Sequence, residues 1–437
     1  MKIAIYNRGI PFDATTPFTK PLGGSETSIV HMARELARAG HDVTVYCALD
    51  SLSPREREGA AQREPDRAKH QEKRQGEGSR DAVYRPYDDF FRDYPANSWD
   101  VFISFRSFDP FLLGRIAPRM IFWGGDAADQ PALANFEHEA LQRNIDLVFC
   151  VSNWHRRSFI EAFNLPAQKV IATRNGFCPD LLPPLHRRDW TRSAYTSTPF
   201  RGLEILLKMF PMMRQRVPTL RLDVFSSMKV YGWTDEADRE AFGALYESAK
   251  QAGVSWHGSV PQPVLLQNLS RTGLFLYPNT FAETSCMAAI EAQACGAVVI
   301  TTARAALNET VENGTTGICL RGEPATAEYQ REFITTVTNL IRNPHRLEEL
   351  SRNARERAFA MYRWSGIASE WTDIFEQMPA TPVHGRFNGP LSLLQKTHDY
   401  LQNGNVSAAT RVLAALDETP FLRNEVDALK GRVSTWM

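Results

Sequence analysis

The sequence predicts an α/β protein made of two doubly wound, Rossmann-like halves, with a small all-helical extension at its end. Short apolar runs rich in Val, Ile and Phe alternate with helix-period segments along most of the chain, the pattern of parallel strands joined by crossover helices. At 437 residues the chain is too long for one small core. A Pro-Pro pair within residues 182–188 marks a linker between two such series.

The first half opens with a strand at residues 3–6 and a loop rich in Pro, Thr and Gly. A helix over 25–39 is expected next, capped by Ser25 and closed by Gly40, with Ile29, Met32, Ala33, Leu36 and Ala37 as its buried stripe. Further strands are expected at 43–47, 101–104, 120–123 and 147–151. Residues 53–81 hold almost no apolar side chain larger than alanine, so they cannot offset their ordering entropy and read as a disordered surface insertion. The second half repeats the pattern, with strands at 194–196, 220–225, 254–257, 274–277 and 297–302 and a last one ending at Leu320. A helix begins at Gly202, and three more are expected at about 328–341, 345–361 and 364–378. In the tail, 390–437, the run from Gly404 to Leu416 with Pro420 beyond it resembles part of a tetratricopeptide helix pair. A single pair cannot bury its own apolar face and should dock on the body or on a partner.

Composition narrows the classes. Fifty basic and fifty acidic residues leave no global electrostatic case for nucleic acid. No run of eighteen apolar residues occurs, and the strand at 3–6 leaves no room for a leader, so a cytoplasmic protein is expected, with peripheral contact at the inner face of the membrane through the first half or the tail as a further option. The six cysteines are scattered without metal-ligand spacing and read as core filler; no metal site is expected.

The most informative stretch is 277–296. A buried strand ends at Pro278, Glu283 lies in the loop, Thr284 or Ser285 can cap a helix, and Glu291 lies inside that helix, which Gly296 ends. Loops at the carboxyl ends of strands bind ligands in open α/β sheets, and free N–H groups at a helix start attract phosphate. Two carboxylates placed this way suit a long, hydroxyl-rich, phosphate-bearing molecule. Glutamates eight apart also arise by chance, and the helix dipole alone favours one near a helix start. The residues beyond Gly296 add weight: the strand at 297–302, then Glu309-Thr310-Val311-Glu312-Asn313-Gly314-Thr315-Thr316-Gly317 and the strand ending at Leu320.

The run from Glu283 to Leu320 resembles the donor-binding half of the family 4 retaining glycosyltransferases of the GT-B fold. Gly23-Gly24-Ser25-Glu26 is similar to that family's N-terminal glycine loop, Arg174-Asn175-Gly176 to its Asn-Gly turn, and Arg201-Gly202-Leu203 to its basic residue before the donor-domain helix. The resemblance covers roughly 1–378. It implies a GT-B fold with two Rossmann-like domains facing a cleft: an acceptor-side domain at 1–182, a nucleotide-sugar donor domain at 183–361, and a helix within 362–380 that crosses back to the first domain. The implied activity is retaining, metal-independent transfer of a hexose-type sugar from a nucleotide sugar, such as a UDP- or GDP-sugar, to a glycan, lipid-linked glycan or other hydroxyl acceptor, without a cofactor. A GT-B scaffold that has lost catalysis and works through its tail is the alternative.

Transfer from a nucleotide sugar builds negative charge on the departing diphosphate, so cations and N–H dipoles are needed there. Arg201 is the leading cation, with the N–H groups of Thr284 and Ser285 and the bare backbone of Gly23 and Gly24 in support; Lys229 is a weaker second cation. By the resemblance, Glu283 holds donor-sugar hydroxyls, Glu291 the ribose, and Ser259 and Val260 flank the nucleobase. Two departures stand out. Where the family commonly has a histidine after the strand ending at Trp123, this chain reads Gly124-Gly125-Asp126, leaving Asp126 as the polar group near the reacting sugar. Where it often has a second cation in the diphosphate site, residues 195–201 offer only Arg201.

Overall fold

The computed structural model describes residues 1–49, 81–93, 98–134, 136–184, 188–383, 389–414, 416 and 422–434. The insertion expected at 53–81 lies outside them apart from Asp81. Two parallel sheets form the body. The first has seven strands, β1 (Lys2–Asn7), β2 (Asp42–Cys47), β3 (Val83–Pro86), β4 (Val101–Phe105), β5 (Arg119–Trp123), β6 (Leu147–Cys150) and β7 (Val170–Ala172), in the order β3-β2-β1-β4-β5-β6-β7. The second has six, β8 (Asp189–Tyr195), β9 (Arg221–Val224), β10 (Val254–Trp256), β11 (Thr272–Tyr277), β12 (Val298–Thr302) and β13 (Gly317–Leu320), in the order β10-β9-β8-β11-β12-β13. In each sheet the order reverses beside the first strand. Ile3 pairs with Val43 on one side and Val101 on the other, and Ala194 pairs with Asp223 and Phe275. At these switch points the loops after neighbouring strands diverge and leave a crevice.

Local chemistry moved several boundaries. The first long helix runs Gly24–Arg38 with Gly23, not Ser25, at its N-cap. Glu26 takes over the capping role from inside the first turn, its buried carboxylate accepting from its own N–H and that of Ile10. The helix expected to start at Thr284 or Ser285 spans Met287–Ala294 with Cys286 at its N-cap, because Thr284 Oγ1 instead donates to the Gly125 carbonyl of the first domain at 2.9 Å. The helix Leu203–Arg216 continues past Pro211. Proline leaves the Leu207 carbonyl without its helical donor, and Gln251 Nε2 supplies one at 3.2 Å.

The helix Trp364–Gln377 ties the body together. Its Trp364, Ile367, Trp371 and Phe375 belong to the first domain's core, packed with Ile29, Met32, Leu36, Trp123 and Phe149. The chain reaches it through a bridge in which Phe177 N donates to the Tyr362 carbonyl at 2.8 Å and Trp364 N to the Phe177 carbonyl at 3.1 Å. The sheet's other face is aromatic, with Phe90 stacked on Trp99 at 5.5 Å and Phe122 against Phe136 at 4.9 Å. The tail helices Pro390–Gln402, Val406–Ala414 and Arg423–Ser434 share a small core of Leu394, Leu401, Leu413 and Leu429. They dock on the first domain, where Gly389 N and Ser392 Oγ both donate to the Leu113 carbonyl. Among the described residues no helix is long and apolar enough to cross a membrane.

Candidate active site

The carboxyl ends of both sheets face one cleft, which encloses a cavity of about 510 Å³. The first domain contributes Gly23 and Gly24, Arg106 after β4, and Gly125 and Asp126 after β5. The second contributes Arg201 after β8, Tyr231 after β9, Ser259, Val260 and Gln262 after β10, and Glu283 to Met287 and Glu291 after β11.

Arg201 is brought to Glu283 by a close backbone crossing. Gly202 has φ +113, and a Cβ there would stand 2.2 Å from the Pro278 carbonyl oxygen, so only glycine lets this turn meet the loop after β11. Arg201 Nη1 donates to Glu283 Oε1 at 3.0 Å and Nη2 to the Tyr231 hydroxyl at 3.1 Å, while Tyr277 donates to the same Glu283 oxygen at 2.6 Å. The guanidinium lies 4.1 Å from the centre of the Phe281 ring. Burial works against its charge, but Glu283 and then Tyr231 outweigh it and raise its pKa, so the group stays ionised. Its Nε is buried without a hydrogen-bond partner.

Glu291 sits deeper. Gln262 Nε2 donates to its Oε1 at 2.6 Å, yet burial pushes its pKa up to about 7. Ser259 and Val260 line the cavity beside Phe225, and Ser259 Oγ donates to the Ser227 carbonyl at 3.4 Å. Cys286, Met287 and Ala288, at the start of the helix Met287–Ala294, line the same space. Gly24 approaches the second domain closely, since a Cβ there would lie 3.3 Å from Met287 Sδ.

Asp126 is held rigidly. Arg106, at φ +58, grips it with Nε and Nη2 at 2.6 and 2.7 Å. Its carbonyl accepts from His155 Nε2 at 2.7 Å, and His155 Nδ1 accepts from Val151 N at 3.2 Å. Burial lowers the His155 pKa to about 4 and keeps the ring neutral, which suits it to fix the loop after β5. Glu26 lies nearby, its carboxyl raised by burial.

The expected residues Gly23, Gly24, Asp126, Arg201, Ser259, Val260, Glu283, Thr284, Ser285 and Glu291 thus line one cavity. Lys229 is not part of its wall; it pairs with Asp235, and Ser227 Oγ caps its N–H. Thr284 and Ser285 precede the helix rather than starting it. Sequence reasoning missed Arg106, Tyr231 and Gln262. Arg106 follows the end of β4 directly at the switch point, and that position alone could have singled it out. Arg106, on the opposite domain, is a second cation on the cavity wall, paired with Asp126.

Residues 22–181 match the model for Glycosyltransferase Family 4 and residues 193–343 the model for Glycosyl transferases group 1. The lipopolysaccharide 1,2-N-acetylglucosaminetransferase of Salmonella typhimurium is 24% identical over 232 residues, which cover 49% of this chain and 59% of that one. The alpha-maltose-1-phosphate synthase of Mycolicibacterium smegmatis is 25% identical over 150 residues, 34% of this chain and 38% of the relative. The chain thus spans about half the length of the curated relatives it matches. Among solved structures, sucrose-phosphate synthase from Thermosynechococcus elongatus superposes with a TM-score of 0.62 at 16% identity, over 86% of this chain and 98% of that one. The HepE protein of Anabaena, solved with UDP and glucose, gives 0.61 at 15% identity over 86% and 100%. Two switch-point sheets facing one cleft, matched in order by these two models, place the chain among the glycosyltransferases of the GT-B fold.

Proposed function

We propose that the chain is a retaining, metal-independent glycosyltransferase that moves a hexose-type sugar from a UDP- or GDP-sugar to a hydroxyl acceptor such as a glycan or lipid-linked glycan. The observation that carries this reading is Arg201. It is a half-buried, ionised guanidinium on the cavity wall, beside Glu283 and near the start of the helix Met287–Ala294. Breaking the bond between the anomeric carbon and the donor's β-phosphate oxygen leaves a nucleoside diphosphate. In this reading Arg201 and the start of that helix, both on the cavity wall, take up its charge. Glu283, held by Tyr277 and Arg201, orients sugar hydroxyls, and Glu291 accepts from the ribose at the far end. The acceptor hydroxyl enters from the first domain, past the Arg106–Asp126 pair. Because both Asp126 oxygens are engaged by Arg106, Asp126 serves as a fixed wall and hydrogen-bond acceptor rather than as a free base.

The test is a thermal-shift screen of the full chain against UDP-, GDP- and ADP-sugars, followed by a turnover assay on the donor that binds. A cognate donor at 100 times its Kd adds about 2.7 kcal/mol to the folded state. Absence of any nucleotide-sugar binding would refute the proposal. Binding without transfer or hydrolysis would point instead to a scaffold acting through its tetratricopeptide-like tail.

A further inference from the structure

We propose that Gln262 is a positioning residue for the nucleoside end of the donor site, and that it does this through a hydrogen-bonded chain reaching across the cleft into the first domain. The inference rests on the proposed function, in which Glu291 meets the ribose.

Four side chains form the relay. Cys178 Sγ lies 3.2 Å from His31 Nδ1, His31 Nε2 lies 2.9 Å from Gln262 Oε1, and Gln262 Nε2 lies 2.6 Å from Glu291 Oε1. His31 is fully buried in the middle of the helix Gly24–Arg38, whereas Gln262 is the first residue of the helix Gln262–Leu269 in the other domain. The chemistry of the groups sets one direction for every bond. The Gln262 carbonyl oxygen can only accept, so His31 must carry its proton on Nε2, and Nδ1 is left to accept from the Cys178 thiol. Burial keeps both ends of that step neutral, holding the thiol near 12 and the imidazole near 4. Arg34 Nη2, 2.8 Å from Cys178 Sγ, holds the sulfur in place.

The consequence falls on Glu291. With the Cys178 thiol donating to Nδ1 and Glu291 ionised, an amide turned over would set its N–H₂ against the His31 N–H and its carbonyl against a carboxylate, losing both bonds, so in that state His31 fixes which end of Gln262 meets Glu291. One Glu291 oxygen is thereby occupied, and the carboxylate presents the other to the cavity in one orientation. The same amide joins a donor-side carboxylate to a first-domain helix, so the domains must be together for the nucleoside site to be complete.

The experiment uses the full chain and the donor identified by the thermal-shift screen. Gln262→Met keeps the volume and removes both polar ends; it is expected to raise the donor KM about tenfold while changing kcat less than threefold. Gln262→Glu keeps the acceptor toward His31 but sets a carboxylate against Glu291, and is expected to raise KM further. Nitrogen-15 NMR of the histidines should show His31 as the neutral Nε2–H tautomer in the wild type and a changed Nε2 environment in Gln262→Met. Wild-type donor KM in both variants, or an Nδ1–H tautomer at His31, would overturn the inference while leaving the proposed function standing. A wild-type protein that binds no nucleotide sugar would overturn both, and its histidine spectrum would still report whether the relay forms.

Discussion

Replacing Arg201 with Met separates the role of this side chain in the fold from its role in the chemistry. Methionine keeps an apolar stem over Phe281 but removes the charge that Glu283 faces at 3.0 Å. Breaking a buried ion pair costs about 3–5 kcal/mol, because one charge is left uncompensated. Glu283 keeps the Tyr277 hydroxyl at 2.6 Å, and the Arg201 side chain is 18% exposed to the cleft, so the lower end of that range, about 3 kcal/mol, is expected in urea denaturation. In steady-state kinetics on the cognate donor, loss of the leaving-group cation should lower kcat roughly 100- to 1,000-fold. Glu283→Gln alone keeps an acceptor for Tyr277 and should lower kcat about 100-fold, or about 2.7 kcal/mol. The double variant is decisive. With Glu283 neutral, the uncompensated charge is gone, so most of the lost stability should return while turnover stays low. Turnover that recovered in step with stability, or wild-type kcat in Arg201→Met, would show that the pair is structural and that the cation plays no part in transfer.

Other perturbations probe other levels of the structure. Burial holds Glu291 near 7 against an ordinary 4.5, so between those values the folded protein keeps a proton that the unfolded chain has released. Stability should therefore fall as pH rises through that window, by about 3 kcal/mol in all, and Glu291→Gln should flatten the fall; an unchanged slope in urea titrations would reject this. Trp371, fully buried against Trp123 and Phe149 at 4.8 Å each, should cost about 3–5 kcal/mol on replacement by Ala, read as a lowered urea midpoint. Glu309 caps the helix Asn153–Phe163 from the other domain, accepting from Asn153 N at 2.8 Å and Trp154 N at 2.5 Å. Glu309→Gln should weaken this latch by about 1 kcal/mol and enlarge the radius of gyration in small-angle scattering. Replacing residues 54–81 with a short Gly/Ser linker should leave donor affinity unchanged in titration calorimetry; a tenfold loss, about 1.4 kcal/mol, would show that the segment packs or binds.

The alternation of apolar runs was enough to read eleven of the thirteen strands found among the described residues, because parallel strands buried on both faces are nearly continuous in Val, Ile and Phe. The two missed strands are at the sheet's edges: β3 mixes Tyr84 and Arg85 with a terminal Pro86, and β7 is three residues long. Helix starts were less legible where a hydroxyl has a competing partner. Thr284 reaches across the cleft instead of capping, and the carboxylate of Glu26 makes a cap at Ser25 unnecessary. Motif spacing placed Glu283, Glu291 and Arg201 around one cavity. Arg106 and Gln262 escaped because their partners are set by tertiary structure: Asp126, 20 residues away, by the pairing of β4 with β5 inside the first domain, and His31, 231 residues away, by how the two domains meet. Lys229 looked suitable by position after β9, but the neighbouring Asp235 draws its ammonium group away from the cleft.

The helix Trp364–Gln377 also bears on the order in which the body is completed during synthesis. The second domain's strands and helices run without interruption from Asp189 to Met361, so that domain can close as soon as it leaves the ribosome. The first domain cannot. Trp371, which packs on Trp123 and Phe149, follows them in the sequence by more than 200 residues, so the core of the half made first is completed last, reversing the usual N-to-C order. The chain itself suggests the remedy: the Met1 amino group meets His41 Nδ1 at 3.3 Å while Thr372 Oγ1 meets His41 Nε2 at 2.9 Å, which brings the start of the protein beside this helix. A rearranged chain in which residues 364–378 are linked ahead of Met1 would bring Trp371 into the same stretch of sequence as Trp123 and Phe149 and let that core close before the second domain is made.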